Sequence, residues 1–270
     1  MKKLLPLVAF SLLVAACDED DVKTAWDNVL RKCVVSDLLG YTVIYFGPSN
    51  PIGPGSIWRD DGSGGYRVRW TLDDMPGNTD FIINGNPYNC DETSPTKFSL
   101  KAALGLIGTV SPASDELSND FQKAKNIEIK ATSVAWDIIR EGPYGAYVEK
   151  LPADGGVRED LGKGDRLILY RALRVRGYSA KLEFSSEDAA RLKAKYSGQL
   201  PKPLTGAVGA ELSASWSEDN TLTLSSAKDV YIAGALAPYS AIGFAGAPRS
   251  RFGKLKDIGE VKSIVIERSK

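Results

Sequence analysis

The chain contains no histidine, and that absence excludes more chemistry than any motif supplies. A Ser-His-Asp triad, a Cys-His dyad, histidine-ligated zinc or copper and an imidazole base near neutral pH are all ruled out. Carboxylate pairs and Ser-Lys pairs need no imidazole and survive the exclusion. Cysteine is scarce too. Cys17, Cys33 and Cys90 are the only three and form no C-x-x-C, so neither a thioredoxin-like redox pair nor a cysteine zinc site has support. No excess of one charge exists either: Lys plus Arg and Asp plus Glu both number 34. No global field draws nucleic acid. No apolar run reaches the roughly 20 residues of a membrane-spanning helix. No metal and no cofactor are expected.

What is present starts at the amino terminus. Lys2 and Lys3 form a basic region before Leu4 to Ala16, an apolar stretch suited to an export signal and too short to cross a bilayer. It ends in Val14-Ala15-Ala16-Cys17, which resembles the lipobox of bacterial lipoproteins. The resemblance covers about the first 20 residues. It implies that residues 1–16 are a signal peptide and that Cys17 is lipidated and becomes the first residue of the mature chain, with acyl chains such as palmitate as its lipid anchor. Asp18 and Glu19 open an acidic run through Asp21. In enteric bacteria such residues resemble the signal that retains a lipoprotein in the inner membrane. The implied location is the periplasmic face of that membrane, with the outer membrane as the alternative. Residues 17–24 then make a spacer, and residues 25–270 a globular region with a candidate internal boundary near residues 111–124.

With Cys17 taken by lipid, Cys33 and Cys90 remain as a pair in an oxidising compartment. A bond would close a loop of about 57 residues and contribute roughly 4 kcal/mol in the chain-entropy account. Two buried thiols are the alternative, because Cys33 lies on the apolar face of an expected helix from Val22 to Val34.

Further on, period-two alternation predominates. Strands are expected at Tyr41 to Phe46, at Ser56 to Trp58 with Gly65 to Leu72 as a hairpin, and at Asn126 to Ala131. Arg166 to Arg176 and Tyr178 to Phe184 read as consecutive strands around Gly177. Glu211 to Trp216 with Thr221 to Leu224, Val230 to Leu236 and Val261 to Glu267 complete the set. Helices are expected at Ser133 to Arg140 and from Ser186 to Tyr196, the latter capped by Ser185 with Asp188 three residues on. Phe98 to Val110 fits either helix or strand. Short helices among many strands predict an α+β fold with largely antiparallel sheets.

Several clusters invite chemistry. Ser94 with Lys97, and Ser225 with Lys228, match the S-x-x-K spacing, which serves a nucleophile only on a helical turn. Asp60 and Asp61 open a Gly-rich turn with no acid at the EF-hand closing position. Arg166, Arg171, Arg174 and Arg176 make the densest basic cluster, and Arg174 with Arg176, sharing a strand face, are the candidate contacts for an anionic ligand, unless nearby acids such as Glu159, Asp160 and Glu183 balance them. Ala102 to Val110 and Ala233 to Ala247 are small-residue apolar segments suited to close packing or to a membrane.

Together these features predict a membrane-anchored periplasmic lipoprotein acting without catalysis, as a binding or assembly protein of the cell envelope. Its expected partners are the membrane, through the lipid, and an envelope protein. A carboxylate-dependent peptidoglycan hydrolase and a membrane-perturbing protein are the alternatives, and the oligomeric state stays open.

Overall fold

Most stretches that alternate apolar and polar residues become strands in the computed structural model. It describes residues 26–31, 33, 42–75, 77, 80–90, 120–196, 212–240, 251–258, 261 and 263–267. Cys17, Asp18, Glu19, the Ser94 to Lys97 match and Ala102 to Val110 lie outside them. So does all but the end of the expected 111–124 boundary.

The strands are β1 (Val43–Ser49), β2 (Ile57–Asp60), β3 (Gly65–Trp70), β4 (Ile82–Ile83), β5 (Tyr88–Asn89), β6 (Asn126–Lys130), β7 (Ser133–Ile139), β8 (Arg166–Arg176), β9 (Ser179–Glu183), β10 (Ser213–Trp216), β11 (Thr221–Ser225), β12 (Val230–Pro238) and β13 (Ser263–Ile266). The helices are α1 (Glu141–Lys150), α2 (Gly156–Leu161) and α3 (Ser186–Tyr196), with a further helical segment at residues 26–31. The fold is α+β and its sheets are largely antiparallel, as the composition of elements predicts.

One sheet runs β1-β12-β8-β2-β3-β13, and β7 also pairs with β8 while carrying β4 and β5 on its other edge. The second runs β10-β11-β9-β6. They are continuous through their strands. Lys130 faces Ser179, and past a short bend Ser133 faces Arg176 in the same register. Gly177 makes that bend without reversing the chain. Its φ is +65°, and a Cβ there would lie 2.1 Å from Thr132 Oγ1, so both backbone conformation and space demand glycine. Thr132 N–H in turn donates to Arg176 O at 2.8 Å.

Ser133 to Arg140, expected as a helix, is strand β7. Val134, Trp136 and Ile138 fall on one face and Ala135 and Asp137 on the other, a period of two that the adjoining Ile138 and Ile139 disguise as a helical stripe. The helix follows it instead, as α1. The expected β2–β3 hairpin forms, with Asp61 Oδ1 accepting from Ser63 N–H at 2.9 Å and Gly65 N–H at 2.9 Å. The acidic turn is thus satisfied by its own backbone. Ser185 caps α3 as expected, its Oγ accepting from Asp188 N–H at 3.1 Å.

β13 pairs with β3 in parallel, the exception among the strand pairs, and Glu267 just beyond it binds Arg67 at 2.9 Å and also Arg69. Ala233, Gly234 and Ala235 sit inside the sheet on β12, where a Cβ on Gly234 would meet Arg171 O at 2.4 Å. This part of the small-residue segment therefore serves close strand packing. Ser225 ends β11 rather than lying on a helical turn with Lys228, so the spacing that a Ser-Lys pair requires is not met.

Candidate binding face

The buried core extends along one face of the first sheet and then opens. Tyr45, Ala233, Leu173 and Trp136 form one cross-strand row, and Trp26 Nε1 donates to Tyr45 Oη at 2.7 Å, closing that end of the face. A neighbouring row contains Tyr88, Val134, Val175 and Val230, and another Ile83, Ile138, Arg171 and Ala235. Residues opposed across strands share a face. The three rows therefore place Trp136, Ile138 and Arg171 side by side, with Ile83 and Tyr88 at the rim. Leu173 and Val175 are fully buried, whereas Ile83 and Tyr88 are 48% and 49% exposed.

The same region is covalently fixed. Cys33 and Cys90 form a disulfide, which ties the segment after Trp26 to the chain directly beyond β5. Cys90 N–H donates to Thr132 O at 3.0 Å. Between β4 and β5 the chain hugs β7 at Gly85, where a Cβ would lie 2.1 Å from Trp136 O.

The arginines of β8 have different fates. Arg166 is buried and donates to Asp160 Oδ1 at 2.8 Å. Asp160 also accepts from Trp70 Nε1 at 3.2 Å and Arg69 Nε at 3.4 Å. Burial alone would push the Asp160 carboxyl up, but hydrogen bonds from Arg166 and Lys163 and the charges of Arg166 and Arg69 outweigh it and hold it well below the usual carboxylate range. Arg174 meets buried Asp137 through Nε at 2.8 Å and Nη2 at 3.3 Å, and Asp229 through Nη1 at 2.8 Å. Tyr231 Oη and Gly85 N–H complete the Asp137 shell at 2.8 Å and 3.0 Å. Arg176 reaches Asp229 at 3.4 Å. Arg174 and Arg176, the pair marked in the sequence for an anionic ligand, are thus neutralised by Asp137 and Asp229. The expected balancing acid Asp160 serves Arg166.

Arg171 points to the opposite face and finds no carboxylate among the described residues. Its guanidinium lies over the Trp136 ring, 5.0 Å from the centroid, a contact that offsets part of the cost of desolvating a cation. Arg171 Nε and Trp136 Nε1 are both buried and have no hydrogen-bond acceptor among the described residues. Burial lowers the Arg171 pKa, as expected of a cation removed from water without a counter-charge. Two buried donors without acceptors are costly to the fold. In sequence Arg171 is one member of the basic cluster, and only the strand alternation of β8 turns it away from Asp137 and Asp229.

A second feature is a cleft of about 260 Å³ between α1 and α2, bordered by Arg158, Arg251, Glu149 and Tyr239. The one carboxylate among its described lining residues, Glu149, pairs with Arg251. Paired carboxylates, the requirement of a glycosidase-type mechanism, are not brought together there.

No protein-family model matches the chain, and no curated protein matches it. Among solved structures it is similar to one described as a bacterial gasdermin from Bradyrhizobium tropiciagri, with a TM-score of 0.38 and 12% identity over 91% of this chain and 95% of that one. At that level of similarity, neither fold nor function is carried across.

Proposed function

We propose that this protein is a membrane-anchored periplasmic lipoprotein that acts by binding, docking a protein partner of the cell envelope on the face formed by β4, β5, β7 and β8. The observation that carries the reading is Arg171, a half-buried cation over the Trp136 ring with no carboxylate beside it among the described residues, next to a rim of exposed Ile83 and Tyr88. Trp, Tyr and Arg around an apolar centre are the residues that dominate protein interfaces. An anionic membrane surface is normally read by a cluster of roughly four to eight cations, whereas the described residues of this face offer Arg171 among apolar groups. The complementary partner therefore presents a carboxylate to Arg171 and apolar side chains to Trp136, Ile138, Ile83 and Tyr88.

The test is a photoreactive amino acid in place of Tyr88, introduced into the lipidated protein in living cells, with Cys17→Ser as the unanchored control. A discrete protein adduct, lost on Arg171→Glu and weakened when the anchor is removed, supports the reading. Adducts to lipid alone, or none, sink it.

A further inference from the structure

The cleft between α1 and α2 has a construction that the binding face does not explain, and the geometry points to a small oxyanion site there, for a ligand group bearing a phosphate or carboxylate. Two guanidiniums border it and both are held in place. A Cβ on Gly145 would lie 2.9 Å from Arg251 Cζ, 2.9 Å from Nη1 and 3.0 Å from Nε. Near-equal distances to three atoms mean that the guanidinium plane lies over the glycine. Arg251 Nη1 donates to Gly145 O at 3.3 Å, and its Nη2 pairs with Glu149.

Arg158 comes from α2 and caps the other side of the cleft. Its Nη1 donates to Glu149 O at 3.0 Å and Leu151 O at 3.2 Å, in the last turn and at the C-cap of α1. It meets no carboxylate among the described residues. Among its described residues the lining thus carries two cations against one acid, over an apolar floor of Val148 and Leu161. Glu149 is largely exposed, so its pair with Arg251 is weak and yields readily to a better oxyanion. Guanidiniums bind phosphate and carboxylate through paired N–H donors. Positioning them in advance removes much of the ordering cost of binding.

Titration of the full-length protein in detergent, followed by the amide resonances of Gly145 and Gly162, tests this with inorganic phosphate, acetate and glycerol 3-phosphate as probes. Saturable shifts are expected, with affinity falling about tenfold or more in Arg158→Gln, because a charge-assisted hydrogen bond is lost. Glu149→Gln removes the competing carboxylate and should tighten binding, a gain that a merely damaged fold cannot mimic. Arg171→Gln, on the other face, should leave it unchanged. Phosphatidylglycerol vesicles distinguish the sources: sedimentation that glycerol 3-phosphate competes away assigns the group to a lipid headgroup, and soluble binding without sedimentation assigns it to a free ligand. Shifts that do not saturate, or that persist in Arg158→Gln and do not strengthen in Glu149→Gln, would overturn the site.

Discussion

Arg174 grips the buried Asp137 carboxylate with two nitrogens, Nε at 2.8 Å and Nη2 at 3.3 Å, across the β7–β8 pair. Asp137 has no access to solvent, so removing Arg174 leaves a buried charge with no counter-charge, held only by the Tyr231 hydroxyl and the Gly85 N–H. Arg174→Ala is expected to cost about 3–5 kcal/mol in urea unfolding. Asp137→Ala, which releases a cation that Asp229 still holds, should cost less. If the two variants are equal to wild type, the pair is not part of what holds β7 to β8.

Stability should also fall in acid through Asp160. Its carboxyl is held below the usual value in the folded state, so the unfolded chain binds the proton first. The stabilisation is full above the ordinary carboxylate pKa of about 4 and is lost progressively as pH drops below it. Thermal melts at stepped pH should show a steep decline for wild type. Asp160→Asn should be less stable at neutral pH and flatter in acid; parallel curves for both proteins would count against Asp160 as the sensor.

Reducing the Cys33–Cys90 bond frees a loop whose ends are 57 residues apart. A loss of about 2–5 kcal/mol is expected, read as a lower melting temperature in reductant or in the double variant C33S/C90S. Because the bond borders Tyr88, the same treatment should expose the Trp26 end of the sheet face first. Tryptophan fluorescence should shift to the red before global unfolding.

Gly177→Ala combines an unfavourable backbone conformation with a clash against Thr132, and together these should cost about 2–4 kcal/mol. Gly142→Ala, on α1 with open space around it, should be neutral or stabilising by roughly 0.5 kcal/mol. Comparing the two by chemical denaturation separates a required glycine from an incidental one.

The strand pattern was legible because half-buried strands must alternate, and the α3 cap was legible because Ser185 and Asp188 satisfy it locally. Helix α1 was not. Its first half reads Glu-Gly-Pro-Tyr-Gly, poor in helix formers, yet Pro143 is tolerated in a first turn and Gly145 is reserved for the Arg251 guanidinium. The Cys33–Cys90 bond was one of two readings that composition allowed, and proximity decided it. The basic cluster was legible as a cluster only. What divides Arg174 from Arg171 is a pair of acids 37 and 55 residues away from Arg174 in sequence, together with the strand alternation that sends Arg171 to the other face. Long-range pairing of this kind leaves no local trace.

The register that runs unbroken from β6 and β9 into β7 and β8 makes the two sheets a single mechanical element. β6 runs on into β7 and β8 into β9, so neither pairing can slip by a residue without breaking the register of the other. Amide protons of Ile129 and Ala135, one in each sheet, should therefore exchange with solvent at one common rate set by opening of the whole ribbon.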